Sequence, residues 1–144
     1  MNEFQLHPQL AADTQCLGEF PLSLVLLAND CQYPWLILVP KRADIREIHH
    51  LSEADQQTLM CESCAVACLM ESVLAAEKIN VAALGNMVPQ LHLHHVARFS
   101  TDAAWPAPIW GKHPAIVYAN LGDEVALWQQ RLSKVDGFTP EQCA

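Results

Sequence analysis

An α+β domain with an antiparallel sheet is predicted by three features of the chain. Short apolar segments form a meander ahead of residue 40, one long run free of Gly and Pro follows, and alternating segments return before residue 100. Strands that succeed one another, with helices inserted between groups of them, favour antiparallel pairing, and a long helix can cover one face of such a sheet.

Residues 4–13 read as a short helical lead-in ending near Asp13. Cys16 to Phe20 and Ser23 to Ala28 read as two strands separated at Pro21, because proline fits poorly inside a ladder. Asn29 to Pro34 carries turn residues, and Trp35 to Val39 is an apolar strand stopped by Pro40. Ser52 precedes the long run Glu53 to Lys78, with Asp55 placed as a capping partner and early acids suited to the helix dipole. Two further strands are expected, Val81 to Leu84 and Gln90 to Phe99, on either side of a Gly85-Asn86 turn. Asp123 to Leu132, acids first and Arg131 late, predicts a terminal helix. The expected count is five strands or so, one long helix on one face and a C-terminal helix.

The 144 residues are 51% hydrophobic and 17% charged with a formal net charge of −8, which fits one folded domain over 1–144. Residues 1–99 hold its core and motif, and residues 100–144 form a Trp- and Pro-bearing loop and the last helix. Sixteen acids against eight Lys and Arg argue against nucleic acid or an anionic membrane as partner, while a small anion held locally remains possible. The N-terminus lacks the basic end and apolar run of a secretory signal, and the apolar stretches fall short of the roughly 20 residues that span a bilayer, so a cytoplasmic protein is expected. Six cysteines invite a disulfide or zinc reading, yet nothing marks an oxidising compartment. Cys61, Cys64 and Cys68 recur at helical spacing on one face, where buried apolar packing is the simplest expectation.

The segment that carries chemistry is Pro89-Gln90-Leu91-His92-Leu93-His94-His95-Val96-Ala97-Arg98. On a strand, Gln90, His92 and His94 point to one face, and Leu91, Leu93 and His95 to the other. Same-side neighbours lie roughly 6.5–7 Å apart, close enough for two imidazoles to reach one phosphate. Imidazole near neutral pH serves as nucleophile, acid or metal ligand, and spacing alone leaves open a nucleophilic site, a zinc site or a solvated polar face.

Asn80 to His94 resembles the signature of the histidine triad (HIT) superfamily, in which His-φ-His-φ-His-φ-φ follows a Gly-Gln-x-Val turn. Asp30 to Lys41 also resembles the family's strand ending in Pro-Lys, and Arg98-Phe99 with Ala104-Trp105-Pro106 resembles a bacterial branch with a Gln-φ-His-φ-His motif. The resemblance covers roughly residues 14–98. It implies a HIT-like fold and a nucleotide hydrolase or transferase acting on a phosphoanhydride or phosphoramidate, with no cofactor and commonly as a two-fold homodimer.

By that resemblance, His92 is the central His that attacks the α-phosphate, and His94 the last His, contacting phosphate oxygens. Gln90 stands where the family has its first His, so a titrating proton is lost there. His95 occupies a usually apolar position, points away from the site by alternation, and is expected to be structural or to lie at an interface. Asn80 matches a phosphate-contacting Asn, Gly85 the turn glycine, and Asn86 the Gln of the turn, while Met87 replaces a Ser that assists phosphoramidate leaving groups. Asn29 or Asp30 falls near the ribose-binding acid or amide. Trp35 stands where several members have a His. Arg98 shares the face of His94 by parity and could add a cation. Leu17, Phe20 and Leu24 are weak candidates for a base slot. Trp105, Trp110, Lys112 and His113 could form a lid, a specificity loop or a dimer arm. Two rival readings stay open: a nucleotide-binding module with little turnover, and a zinc protein using His92, His94 and perhaps His113.

Overall fold

The computed structural model describes residues 3–140. Residues 1, 2 and 141–144, which the sequence reading counts within the domain, lie outside them. One open five-stranded antiparallel sheet, ordered β1-β2-β3-β5-β4, is built from β1 (Thr14–Glu19), β2 (Ser23–Ala28), β3 (Trp35–Pro40), β4 (Lys78–Ala82) and β5 (Leu93–Arg98). Three helices, α1 (Pro8–Asp13), α2 (Glu53–Leu74) and α3 (Leu121–Leu132), accompany it, so the predicted α+β class holds.

The helical lead-in begins only at Pro8, whose fixed φ suits a first helical position, and the His7 ring caps it by accepting from the Gln9 N–H. The long helix stops at Leu74 rather than Lys78: Ala75 turns left-handed, and the Glu77 N–H bonds the Arg98 carbonyl, drawing the chain into the sheet. The fourth strand therefore starts at Lys78, three residues ahead of the expected Val81. The fifth starts at Leu93, not Gln90, because β4 ends at Ala82 and β3, though it continues to Pro40, pairs with it no further than Leu38. Ala82 pairs with His94 and Leu38 with Leu93, and the ladder goes no further.

The two faces bury different sets. On one, Leu27, Leu36, Leu38, Leu93 and Ala97 pack against Leu59, Val66 and Met70 of α2 and Trp128 and Leu132 of α3. On the other, Leu24, Leu26, Ala28, Ile37 and Val39 pack with Leu10 of α1. A third cluster, Tyr33, Val96, Ala104 and Ile109, lies under the loop that follows β5.

Gly18 sits at a bulge in β1, where a Cβ would collide with the Thr139 carbonyl. That close approach lets Glu19 and Thr139 exchange backbone bonds of 2.9 and 2.8 Å along the outer side of β1. At the opposite edge, β4 pairs with no second strand among the described residues.

Cys61, Cys64 and Cys68 are exposed, which corrects the buried packing expected for them. The buried stripe of α2 is Leu59, Glu62, Ser63, Val66 and Met70, and the thiols fall on the reverse side with exposed Met60 and Val73. The same helix is long and apolar enough, by length and composition, to cross a membrane, although its apolar residues are interrupted by polar ones.

Candidate functional site

A cleft of about 580 Å³ opens on the sheet face opposite α2 and α3, a volume in the usual range for small-molecule sites. Four elements converge on it. Trp35 and Ile37 come from β3 and His94 from β5, with His92 just ahead of that strand. The Leu84-Gly85-Asn86-Met87-Val88 turn closes one side, and α1 with Asn29 and Asp30 closes the other. Gly85 has φ +69°, the left-handed geometry that glycine allows without strain.

Strand alternation places the histidines as parity requires. His92 and His94 face the cleft, their ring centroids 4.8 Å apart. His95 faces the helix layer, fully buried, with Nε2 2.7 Å from the Ser63 hydroxyl of α2. This is the structural placement expected of it.

Hydrogen bonds fix the proton on each cleft imidazole. His92 Nδ1 lies 2.7 Å from the Gln90 carbonyl, which can only accept, so Nδ1 donates and Nε2 keeps a lone pair. The Trp35 indole N–H, which can only donate, lies 3.0 Å from His94 Nδ1, so that nitrogen accepts and the proton sits on Nε2. Burial, reinforced by the nearby His92 and His95, lowers the His94 pKa from 6.5 to about 3. Burial likewise lowers His95 to about 4, against an opposing pull from the Leu36 and Leu93 carbonyls.

Six of the nine site residues expected from the sequence line this cleft: His92, His94, Gly85, Asn86, Asn29 and Asp30. The last two are also used as anchors. Asn29 Oδ1 accepts from the Tyr118 N–H at 3.0 Å, and Asp30 Oδ1 accepts from the backbone and side-chain nitrogens of Gln32.

The structure does not bring the other three to the cleft. The Gln90 amide accepts from the His7 N–H at 2.9 Å and donates to the Gln5 carbonyl at 2.8 Å, so it ties down the N-terminal segment. Arg98 is 2% exposed and carries a two-bond ion pair to Asp102, with further bonds to Asn80 Oδ1 and the Ala107 carbonyl. Asn80 is thereby turned toward Arg98. Parity put Arg98 on the correct face, but the loop after β5 folds over it.

The apolar wall also departs from expectation. Leu17 and Phe20 belong to the helix-side core, and Leu24 is packed beneath α1 outside the cleft. Leu10, Ala28, Ile37, Val88 and Val117 line the cleft instead. Of the loop residues, Trp110 reaches it, 5.3 Å from the His94 ring, with its buried indole N–H unpartnered. Trp105 lies over Arg98, and the His113 ring meets the Ala103 carbonyl outside the cleft. No group of three or more metal-binding side chains converges among the described residues.

An open five-stranded sheet that presents two imidazoles beside a glycine turn is the arrangement that the resemblance to histidine triad proteins implies. The HIT domain family matches residues 9–101, well over half of the chain, and the chain belongs to that family. It is similar to three histidine triad proteins of known crystal structure. The protein from Marinobacter aquaeolei VT8 is 50% identical, with 91% of this chain and 94% of that one covered and a TM-score of 0.86. The Bradyrhizobium japonicum protein is 42% identical, covering 93% and 98%, with a TM-score of 0.88. The Sinorhizobium meliloti 1021 protein is 40% identical, covering 92% and 96%, with a TM-score of 0.86. No curated protein matches the chain. HIT proteins are generally nucleotide hydrolases or transferases.

Proposed function

We propose that this chain is a nucleotide hydrolase or nucleotidyl transferase that cleaves a nucleoside phosphoanhydride or phosphoramidate, of the dinucleoside polyphosphate kind, through a covalent nucleotidyl-His92 intermediate. The observation that carries the reading is the 2.7 Å bond from His92 Nδ1–H to the Gln90 carbonyl, which leaves Nε2 as a free lone pair on the cleft side of the sheet.

In the first step, His92 Nε2 attacks the α-phosphorus. The N–P bond forms, the bond from phosphorus to the leaving group breaks, and that group takes the electron pair. In the second step, water or an acceptor hydroxyl attacks the same phosphorus and loses its proton to solvent. The N–P bond breaks, and its electron pair restores the imidazole. Fixed donors for the phosphoryl oxygens are His94 Nε2–H and the backbone N–H groups of the Gly85-Asn86 turn. The apolar wall formed by Leu10, Ile37 and Val88 suits a base, and Asn29 and Asp30, which line the same cleft, are assigned to the ribose by this reading. Gln90, Asn80 and Arg98 support the site by holding its surroundings.

The test is the mass of the intact protein after incubation with an adenylated substrate. A nucleotide-sized adduct is expected in the wild type and absent from His92→Ala, together with a loss of turnover of about 10⁴-fold or more. Unchanged hydrolysis by His92→Ala overturns the mechanism. A second reading, a nucleotide-binding module with little turnover, is favoured by the engagement of the Gln90 amide elsewhere; it predicts tight binding without an adduct.

The same proposal takes the chain as one domain in the cytoplasm, with a small nucleotide rather than a polymer or membrane as partner and with no metal. It includes a two-fold homodimer. The edge of β4, unpaired among the described residues, and the exposed Met60, Val73 and Val81 favour such a partner.

A further inference from the structure

We infer that Trp35 holds His94 as a neutral hydrogen-bond donor, so that the site contains no general acid and acts on nucleotides whose leaving group departs without a proton. This rests on the nucleotidyl-transfer reading above and narrows its substrate class to the phosphoanhydrides, with phosphoramidates of basic amines turned over poorly.

The argument runs through the three positions of the motif. Position 90 carries an amide whose oxygen and nitrogen are both bonded to the backbone of Gln5 and His7. His92 must present its lone pair to phosphorus and cannot give a proton in the same step. His94 is the remaining imidazole. A cationic His94 would need a proton on Nδ1, but Trp35 Nε1–H points at that nitrogen from 3.0 Å, and the two N–H groups would oppose each other. Burial beside Trp35 and Trp110 acts in the same direction. Neutral His94 can still donate through Nε2–H to a phosphoryl oxygen, but a neutral imidazole is far too weak an acid to protonate a departing group.

Among the described residues no other group takes over the duty. The titratable side chains that line the cleft besides the two histidines are Asp13 and Asp30, and both accept hydrogen bonds, from Gln9 and from Gln32. His95 faces the opposite side of the sheet. Glu47 and His50, across Gly85, are engaged with each other's backbone in a capping box. Met87 brings no hydroxyl and is 92% exposed. An amine leaves phosphorus only with a proton, whereas a phosphate or nucleotide leaves as a stable anion.

The experiment compares an adenosine dinucleoside polyphosphate with an adenosine 5′-phosphoramidate of a simple alkylamine, in the wild type and in Trp35→Phe, together with ¹⁵N spectra of the histidine rings. The anhydride is expected to be cleaved faster by about 10²–10⁴-fold, the value of one positioned proton donor. In the wild-type spectra His94 keeps its proton on Nε2 down to pH 5. In Trp35→Phe, where the burial persists but the N–H aimed at Nδ1 is gone, that nitrogen is free to carry the proton, and the Nδ1–H tautomer is expected to appear beside Nε2–H. Equal rates on the two substrates, or a wild-type His94 protonated at Nδ1, overturns the inference. Failure of the parent reading shows differently, as absence of any adduct at His92 while His94 still carries its proton on Nε2.

Discussion

His94 and Arg98 lie four residues apart on the same face of one strand and are put to opposite uses. Around His94 the chain leaves a cleft lined by apolar and neutral polar side chains, with no Lys or Arg among the lining residues. Around Arg98 it closes a loop. The guanidinium is held by Asp102, Asn80 and the Ala107 carbonyl, and Asp102 in turn accepts from the N–H groups of Phe99, Ala104 and Trp105. Formal charge is spent where the backbone must be pinned, and oriented dipoles are kept where a ligand must enter.

The largest expected effect lies at the Arg98 end. Burial pushes the Asp102 carboxyl up, but the Arg98 guanidinium and the three backbone donors outweigh it and hold the group at about 2. With side chains 2% and 6% exposed, the pair differs from Arg42–Asp55, whose side chains are 47% and 21% exposed. Removing one member of a buried pair strands the other, so Arg98→Met is expected to cost about 3–5 kcal/mol in urea unfolding, partly recovered by adding Asp102→Asn. A cost below about 1 kcal/mol would show the loop to be held by its apolar cluster alone.

At the other end of the strand the expected effect is smaller and depends on pH. His94 and His95 have folded-state values of about 3 and about 4, below the ordinary 6.5. A base whose pKa is depressed by folding binds fewer protons in the native state, so its stability contribution is full above 6.5 and is lost as pH falls from there toward the folded values. Each histidine is expected to remove about 2 kcal/mol between pH 6.5 and 5, before Asp102 or most carboxylates titrate. His95→Gln should show about half of the wild-type decline. A urea midpoint that stays flat between pH 7 and 5 would mean that both rings are protonated in the folded protein.

Much of this contrast was legible from strand parity. The period of two separated Leu91, Leu93 and His95 from His92 and His94, and the Gly85-Asn86 turn marked one wall of the cleft. Three things were not legible. Parity puts Arg98 beside His94 but says nothing of a loop that returns to cover it, because Asp102 and Ala107 meet the guanidinium only after the chain has folded back. The Gln90 amide finds its partners 83 and 85 residues away, in the lead-in ahead of β1, and nothing in the local pattern of either segment links them. The Trp35–His94 bond depends on the β3–β5 register, in which Ile37 opposes His94 and Trp35 reaches it diagonally. The exposed thiols of α2 misled for a different reason: cysteine is usually buried, and the stripe that is buried on this helix includes Glu62 and Ser63.

The smallest expected effect is the most discriminating for the cleft. A ligand anion held by Lys or Arg loses affinity as salt rises, because counterions compete and the charges are screened. Here the donors would be His94 Nε2–H and turn N–H groups, close to the phosphate and carrying no formal charge. The chain as a whole carries −8, so its long-range field repels the nucleotide. Screening that field favours binding, and the two influences share a direction only if no cation lines the site. Calorimetric titration with adenosine monophosphate should therefore give an affinity that changes by less than about 2-fold, and in the tightening sense, between low and physiological salt. A weakening of about tenfold or more would place a cation at the phosphate after all, and Arg46, across Gly85 from His92, would be the residue to replace first.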